Sequence, residues 1–147
     1  MVTLCGRPEN HTELILENWR QAVSENDITF HLGDVIFNRQ SEMASLIRTI
    51  PGKKILVLGN HDGNKPHWYM ARGFDFACYG FEYGHVYFTH RPSVFLPQGC
   101  TLNIHGHLHN SGHRDDEQPL NPWNKKLAIE ETDYKPVLLD SLLAQCA

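Results

Sequence analysis

The sequence predicts an α/β protein, a layered α/β sandwich built on a mixed β-sheet. Segments with helical and strand-like periodicity alternate in the first half of the 147 residues, whereas strand-like segments dominate the second half. One nearly continuous apolar run, at residues 54–58, is typical of a strand that is covered on both faces. No repeat or linker interrupts the chain, and we therefore expect residues 1–147 to form a single domain.

The first half of the chain has the periodicity of three helices and two strands. Thr12 is a typical helix N-cap and precedes apolar residues at helical spacing. Pro51-Gly52 ends a second helical stretch. In chain order, the predicted elements are a helix from residue 12 to about residue 23, a strand at 28–32, a helix at about 41–50, a strand at 54–58 and a short helix at about 67–71.

The second half contains strand-like segments and one long polar loop. Residues 106–125 are rich in Gly, Asn, Asp and Pro and predict a loop, which at this length is more often functional than accidental. Around the loop we expect strands at 74–78, 86–89, 101–105 and 127–130, and a short helix or turn at 138–143.

Composition argues against several classes of protein. The formal net charge is −4 and no run of Lys or Arg is present, so a dedicated nucleic-acid surface is not expected, although nucleotides and short strands stay open as substrates. No apolar segment resembles a signal peptide or is long enough to span a membrane. The four cysteines are far apart, which is typical of reduced thiols, and we expect a cytoplasmic protein. The oligomeric state does not follow from the sequence.

Polar side chains follow four of the predicted strands at the point where each strand ends. They are Gly33-Asp34, Gly59-Asn60-His61-Asp62, His90 and Gly106-His107-Leu108-His109. In open α/β sheets the ligand crevice lies beyond the carboxyl ends of the strands, so we expect these side chains to converge. One carboxylate, one amide oxygen and several imidazoles, without a thiolate, suit Mn, Fe, Zn or Ni better than Mg or Ca.

This set of metal ligands indicates a particular kind of reaction. A carboxylate such as Asp34 can bridge two ions, and two ions about 4 Å apart clamp the attacking and the leaving oxygen of a phosphoryl transfer. Bound ions also lower the pKa of a coordinated water, so that hydroxide is available at neutral pH. We therefore expect hydrolysis of a phosphate ester, either a phosphomonoester or a phosphodiester.

The four motifs, in this order and spacing, resemble those of the calcineurin-like metallophosphoesterases. Gly-Asn-His-Asp followed by Gly-His-x-His is specific in combination, and the similarity covers essentially the whole chain. Flanking segments also resemble a small bacterial and phage subgroup of predicted phosphoesterases: Cys5-x-Arg7-Pro8, Asn18-Trp19, His31-Leu32-Gly33-Asp34 and Tyr134-Lys135-Pro136-Val137. The resemblance implies the metallophosphoesterase fold and metal-dependent hydrolysis of phosphate esters.

The resemblance also implies which residues bind the metal ions. Asp34 would bridge two ions. Asn60, His90 and His107 would complete the site of one ion, and His109 would bind the other.

His61 and Asp62 would act in catalysis rather than as ligands, by the same resemblance. His61 would donate a proton, or give electrostatic help, at the leaving group, and Asp62 would fix the orientation of His61. His31 and His105 lie inside predicted strands, and we expect both to be buried structural or supporting residues.

The sequence departs from the family at its beginning. Family members carry an Asp-x-His motif after their first strand, which supplies two ligands to the ion that His109 binds, and the 147 residues contain no such motif. Residues 1–8 correspond to the segment directly after that motif, so we expect the first strand to be missing as well. Either the coding start is placed too late, or the short form is natural and one ion site is crippled. Proteins avoid exposed sheet edges, which favours the first explanation.

Two other classes of function compete with the hydrolase. A degenerate, non-catalytic relative would bind a single metal ion or a phosphate and act as a binding module. A structural zinc protein is the weaker alternative, because closed zinc sites usually recruit cysteines and the four motifs contain none.

Overall fold

Two β-sheets form the framework of the chain. The structure, a computed structural model, describes residues 6–35, 46–109 and 120–146. Within these ranges the elements are α1 (His11–Ala22), β1 (Ile28–His31), β2 (Lys53–Val57), α2 (Pro66–Met70), β3 (Phe76–Cys78), β4 (Gly80–Tyr83), β5 (Val86–Thr89), β6 (Leu102–His105), β7 (Asn124–Lys126), a 3-10 helix (Ile129–Thr132) and α3 (Leu139–Ala144). Residues 46–48 are helical as well. None of the helices in the described ranges combines the length and the apolar character needed to cross a bilayer.

The two sheets differ in strand direction. β1, β2 and β3 form a parallel sheet in that order, in which Phe30 of β1 is level with Ile55 of β2. In the second sheet β4 is antiparallel to β5, whereas β5, β6 and β7 run parallel. The predicted α/β fold with a mixed sheet is confirmed, with the strands divided between two sheets. Since neighbouring parallel strands end at the same edge, the loops after β1 and β2 start side by side, as do those after β5 and β6.

The core lies on both faces of β2. Leu56 and Val57 are fully buried, and because successive residues of a strand point to opposite faces, they belong to different apolar clusters. Leu56 shares its cluster with Trp19 of α1, and Val57 shares the other with Phe88 of β5. Phe30 of β1 stacks on Phe88 with 4.6 Å between ring centroids, which joins the two sheets. Burial of each such side chain stabilises the folded state by about 1.5–3 kcal/mol. The strand that was predicted to be covered on both faces therefore lies at the centre of the fold.

Several predicted elements need correction. Asn10, not Thr12, occupies the N-cap of α1. The strand predicted at 127–130 is wrong, because β7 ends before it and the second half of the segment belongs to the 3-10 helix. β7 is polar and forms the edge of its sheet, so the apolar pattern does not mark it. The helix predicted at 41–50 and the loop predicted at 106–125 lie partly outside the described residues.

Candidate metal centre

The loops that follow β1 and β2 meet at two glycines. A Cβ on Gly33 would lie 2.6 Å from the backbone N of Gly59 and 2.5 Å from Nδ1 of His90, which is closer than a side chain tolerates. Gly33 also has a φ of +97°, and a Cβ on Gly59 would lie 2.6 Å from the backbone N of Asp34. Glycine at these positions therefore lets both loops bring their polar side chains together.

The carboxylate of Asp62 fastens the same two loops to each other. Its Oδ2 accepts hydrogen bonds from the backbone N–H of Asp34 at 2.7 Å and of Gly59 at 2.8 Å, and its Oδ1 accepts one from Val35 at 3.1 Å. Asp62 is 8% exposed. Both oxygens thus accept hydrogen bonds from backbone groups of the two loops, which gives Asp62 a loop-joining role, and its expected effect on the orientation of His61 stays a prediction.

Three polar side chains converge on one nitrogen of His90. Nδ1 of His90 lies 2.6 Å from the carbonyl oxygen of Leu32, to which it donates. Nε2 lies 2.9 Å from Oδ1 of Asn60, 3.1 Å from Nδ1 of His107 and 3.3 Å from Oδ2 of Asp34. When the His90 ring is neutral with its proton on Nδ1, Nε2 carries a lone pair. Several atoms with lone pairs then lie close together, and a proton or a cation between them would offset their repulsion.

The charges of Asp34 and His90 stabilise each other. Burial alone would raise the pKa of the Asp34 carboxyl, but hydrogen bonds from His90 and from the backbone N–H of His61 outweigh it and hold the pKa below its usual range. Burial alone would lower the pKa of His90, but the Asp34 carboxylate and the Leu32 carbonyl outweigh it and raise the pKa. A cation at Nε2 would take the place of the proton that these neighbours favour.

The spacing of these atoms fits a transition-metal ion. Ligand atoms about 2.1 Å from such an ion lie about 3.0 Å apart in octahedral geometry and about 3.4 Å apart in tetrahedral geometry. The three distances from Nε2 of His90, 2.9, 3.1 and 3.3 Å, cover this range. Ligand atoms of Asp34, His90 and His107 all lie within 4.8 Å of one another. Asp34 and His107 also have φ values of +56° and +62°, a left-handed backbone that is uncommon for non-glycine residues.

His109 lies beside an ion pair rather than within this cluster. Its Nδ1 is 3.1 Å from Oε1 of Glu130 and 3.3 Å from Nη2 of Arg7, and Nε of Arg7 donates to the same Glu130 oxygen at 2.7 Å. The Glu130 side chain is 6% exposed. Burial would raise the pKa of Glu130, but its own backbone N–H and the Arg7 side chain outweigh it and lower the pKa. Glu130 offers an acceptor oxygen and Arg7 only donors, so a proton on Nδ1 of His109 would be directed to Glu130.

The remaining histidines of the motifs differ in exposure. His61 is exposed, and its backbone N–H donates to Oδ1 of Asp34 at 3.0 Å, which places the residue at the rim of the cluster. His31 lies between the rings of Trp19 and Phe74, with centroid distances of 5.7 and 6.4 Å. His105 is fully buried, with Nδ1 2.9 Å from the Gly106 carbonyl. Burial lowers the pKa of both His31 and His105, as suits neutral structural residues.

A cleft of about 520 Å³ opens beside the cluster. Asn60 and His90 belong to both the cluster and the lining of the cleft. The complete lining is Leu58, Gly59, Asn60, Tyr79, Thr89, His90, Arg91, Pro92, Ser93 and Val94. The cluster is therefore accessible to a ligand larger than a phosphate group.

Sequence reasoning missed the contact of Glu130 with His109 and the position of Tyr79 in the cleft. Glu130 follows a short apolar stretch that predicts a strand, and no motif links it to His109. Arg7 belongs to the Cys5-x-Arg7-Pro8 segment, which carries a resemblance but no assigned chemistry. Tyr79 follows β3, and only the cleft indicates that it lies near the cluster.

Three comparisons relate the chain to known proteins. The family model for the calcineurin-like phosphoesterases matches residues 8–143. An uncharacterized protein of Methanocaldococcus jannaschii is 29% identical over 158 residues, which span 97% of this chain and 81% of that protein. The crystal structure of a protein of unknown function from Aquifex aeolicus is similar with a TM-score of 0.70 and 24% identity, over 98% of this chain and 90% of that one. At this identity, the last similarity concerns the fold alone.

Proposed function

This chain belongs to the calcineurin-like phosphoesterase family, and from that premise we propose that it is a metal-dependent phosphoesterase. It hydrolyses a phosphomonoester or a phosphodiester with a metal-activated water. The observation that carries the proposal is the convergence of Asp34, Asn60 and His107 on Nε2 of His90. A single domain in the cytoplasm, as predicted from the sequence, is part of the same proposal.

Four side chains hold the proposed ion: Asp34, Asn60, His90 and His107. A divalent ion bound there polarises a phosphoryl oxygen and lowers the pKa of a bound water. The mixture of one carboxylate, one amide and two imidazoles suits Mn, Fe, Zn or Ni. His90 contributes through Nε2, because its Nδ1 is occupied by the Leu32 carbonyl at 2.6 Å.

His109 is the proposed ligand of a second ion, which it would share with Asp34. Metal-binding histidines usually donate the other ring N–H to a carboxylate or carbonyl, and Nδ1 of His109 lies 3.1 Å from Glu130. Oε2 of Glu130 is buried and has no hydrogen-bond partner among the described residues, so the carboxylate keeps negative potential beside the ring. These contacts support the proposal that Glu130 orients the His109 ring as a metal ligand.

His61 is the proposed proton donor to the leaving group. Its backbone N–H donates to Oδ1 of Asp34 at 3.0 Å, so its exposed side chain is attached at the edge of the proposed ion site. A positioned general acid typically contributes about 10²- to 10⁴-fold to the rate. The proton passes from the ring to the ester oxygen as the P–O bond breaks, and the ring is reprotonated from solvent.

A non-catalytic relative that binds one ion or a phosphate is the second candidate. The observation that favours it is that, within residues 6–35, 46–109 and 120–146, one group of His, Cys, Asp and Glu side chains is close enough to hold an ion, and it consists of Asp34, His90 and His107. A single ion of this kind is sufficient for a binding module. Both candidate functions include the binding of one ion, but only the phosphoesterase hydrolyses an ester.

The test compares Mn²⁺ binding with hydrolysis of p-nitrophenyl phosphate and bis(p-nitrophenyl) phosphate. Asp34→Asn should lose Mn²⁺ binding and hydrolysis together, because it removes a ligand charge. His61→Ala should keep Mn²⁺ binding and lose about 10²- to 10⁴-fold in rate. His85→Ala, which replaces an exposed histidine in the turn before β5, is the matched control and should change neither.

The outcomes separate the two candidates. Mn²⁺ binding that depends on Asp34, without hydrolysis of either ester, would favour the binding module. Hydrolysis that needs no metal and survives both substitutions would refute the proposed mechanism.

A further inference from the structure

The cleft beside the metal cluster is larger than a phosphate group needs. Its volume of about 520 Å³ lies within the range of about 300–1,000 Å³ that is typical of clefts for drug-sized ligands. It shares Asn60 and His90 with the cluster. A phosphate ester bound at the cluster would therefore extend its organic part into this cleft.

Two large apolar side chains stand exposed in the cleft. Tyr79, directly after β3, is 71% exposed, and Val94, in the loop after β5, is 62% exposed. Both line the cleft, together with Leu58 and Pro92. Apolar groups that are exposed around a concave site mark ligand-binding grooves more often than apolar groups scattered over a surface.

The hydroxyl groups of Thr89 and Ser93, which line the cleft, are engaged within the protein. Thr89 Oγ1 donates to the carbonyl of Arg91 at 2.6 Å and accepts from Nδ2 of Asn103 at 2.8 Å. Ser93 Oγ donates to the carbonyl of Phe95 at 2.6 Å. These hydroxyl protons are not available to a ligand, so Tyr79 and Val94 are the exposed side chains that a ring could contact.

The loop that carries Val94 is anchored to the second sheet. The N–H of Ser93 donates to Oδ1 of Asn103 at 2.9 Å, and the carbonyl of Ser93 accepts from Nδ2 of Asn124 at 3.1 Å. Asn103 is a fully buried residue of β6. Val94 is thus exposed on a fastened loop, and the wall of the cleft is formed before a ligand arrives.

We propose that this cleft binds a planar aromatic ring in the leaving group of the substrate, with the ring stacked on Tyr79. The proposal rests on the proposed function, because it places the phosphate of the ester at Asp34, His90 and His107. A nucleobase is the biological form of such a ring, and an aryl group is its simplest form. Stacking of a base on an aromatic side chain changes affinity by about 5- to 150-fold.

The test uses the Mn²⁺-loaded full chain and three probes: adenosine 5′-monophosphate, ribose 5-phosphate and phenyl phosphate. The first two share the scissile bond and the sugar, so the ratio of their kcat/KM values reports the contact with the base. We expect a ratio of about 5–150 in favour of the nucleotide. Phenyl phosphate distinguishes an aryl preference from one that needs the sugar as well as the base.

Variants of Tyr79 assign the effect to the stacking surface. Tyr79→Ala should bring the ratio towards one, whereas Tyr79→Phe should preserve it because the ring remains. Tyr83→Ala is the matched control, since Tyr83 is 53% exposed on β4 and does not line the cleft. A ratio near one in the wild type, or an unchanged ratio in Tyr79→Ala, would overturn the inference.

Calorimetric binding of the same probes separates this inference from the proposed function. If no ester is hydrolysed, the proposed function fails, but nucleotide binding that is weakened in Tyr79→Ala and kept in Tyr79→Phe would still support the cleft. If both sugar phosphates are hydrolysed and bound equally well, the proposed function stands and the inference about the ring fails.

Discussion

Replacement of Asp62 by Asn should separate the two loops that carry Asp34 and Asn60. The Asp62 carboxylate is 8% exposed and accepts three backbone N–H groups at 2.7–3.1 Å. Asparagine has nearly the same shape, but it is neutral and replaces one acceptor oxygen with an NH₂ donor. The substitution therefore tests the charge and the hydrogen bonds of Asp62 rather than its volume.

The expected loss of stability follows from the number of hydrogen bonds. If the amide oxygen takes the position of Oδ2, two bonds change from charged to neutral acceptors, at about 1 kcal/mol each. The NH₂ group then faces the N–H of Val35, and the unpaired buried donors cost about 2 kcal/mol more. Together this is about 4 kcal/mol, which for a chain of this length lowers Tm by about 8–16 °C.

Thermal and urea denaturation of the metal-free protein measure the stability, and calorimetry measures the affinity for Mn²⁺. We expect the affinity to fall by about 10- to 100-fold, as is typical when the residues that orient metal ligands are replaced. Asp27→Asn is the matched control. Its Oδ2 accepts two hydrogen bonds from Ser24, at 2.7 and 2.8 Å, in an exposed turn where water can replace them. If Asp62→Asn and Asp27→Asn share one Tm and one Mn²⁺ affinity, Asp62 does not hold the loops together.

Two further predictions concern the approach of the loops and the proton on His90. Gly59→Ala should abolish Mn²⁺ binding, because the added Cβ would lie 2.6 Å from the backbone N of Asp34. Gly63→Ala, whose Cβ would meet nothing within 4 Å, should bind normally in the same titration, and equal binding by both variants would contradict the packing argument. The pKa of His90 is raised in the folded, metal-free protein, so its stabilising effect is complete below about pH 6.5 and is lost as the pH rises through the raised value. Urea denaturation across this range should show wild type losing stability relative to His90→Gln as the pH increases, and parallel curves would refute it.

The location of the chemistry could be predicted from local sequence. Strand periodicity predicts that Asp34, Asn60, His90 and His107 each follow a strand, and parallel strands end at a common edge. The structure places side-chain atoms of Asp34, Asn60 and His107 within 3.3 Å of Nε2 of His90. Their roles as ligands stay predictions, since proximity does not demonstrate binding.

The contacts that support these side chains could not be predicted in the same way. Nothing in the spacing of Asp62 indicates that its carboxylate accepts hydrogen bonds from two different loops. Glu130 lies 21 residues from His109, in a segment whose apolar pattern predicts a strand. In the sequence, nothing distinguishes Tyr79 from other aromatic residues at the ends of strands. Its position in the cleft depends on the fold.

The physical reason lies in the range of the interactions. Periodicity and motif spacing record local backbone geometry and burial, which neighbouring residues determine, and these were sufficient for the α/β class, the strand ends and the expected reaction. Hydrogen bonds between loops depend on how separate strands are placed in the two sheets. The partners of His109, the role of Asp62 and the wall of the cleft are therefore decided by the tertiary structure.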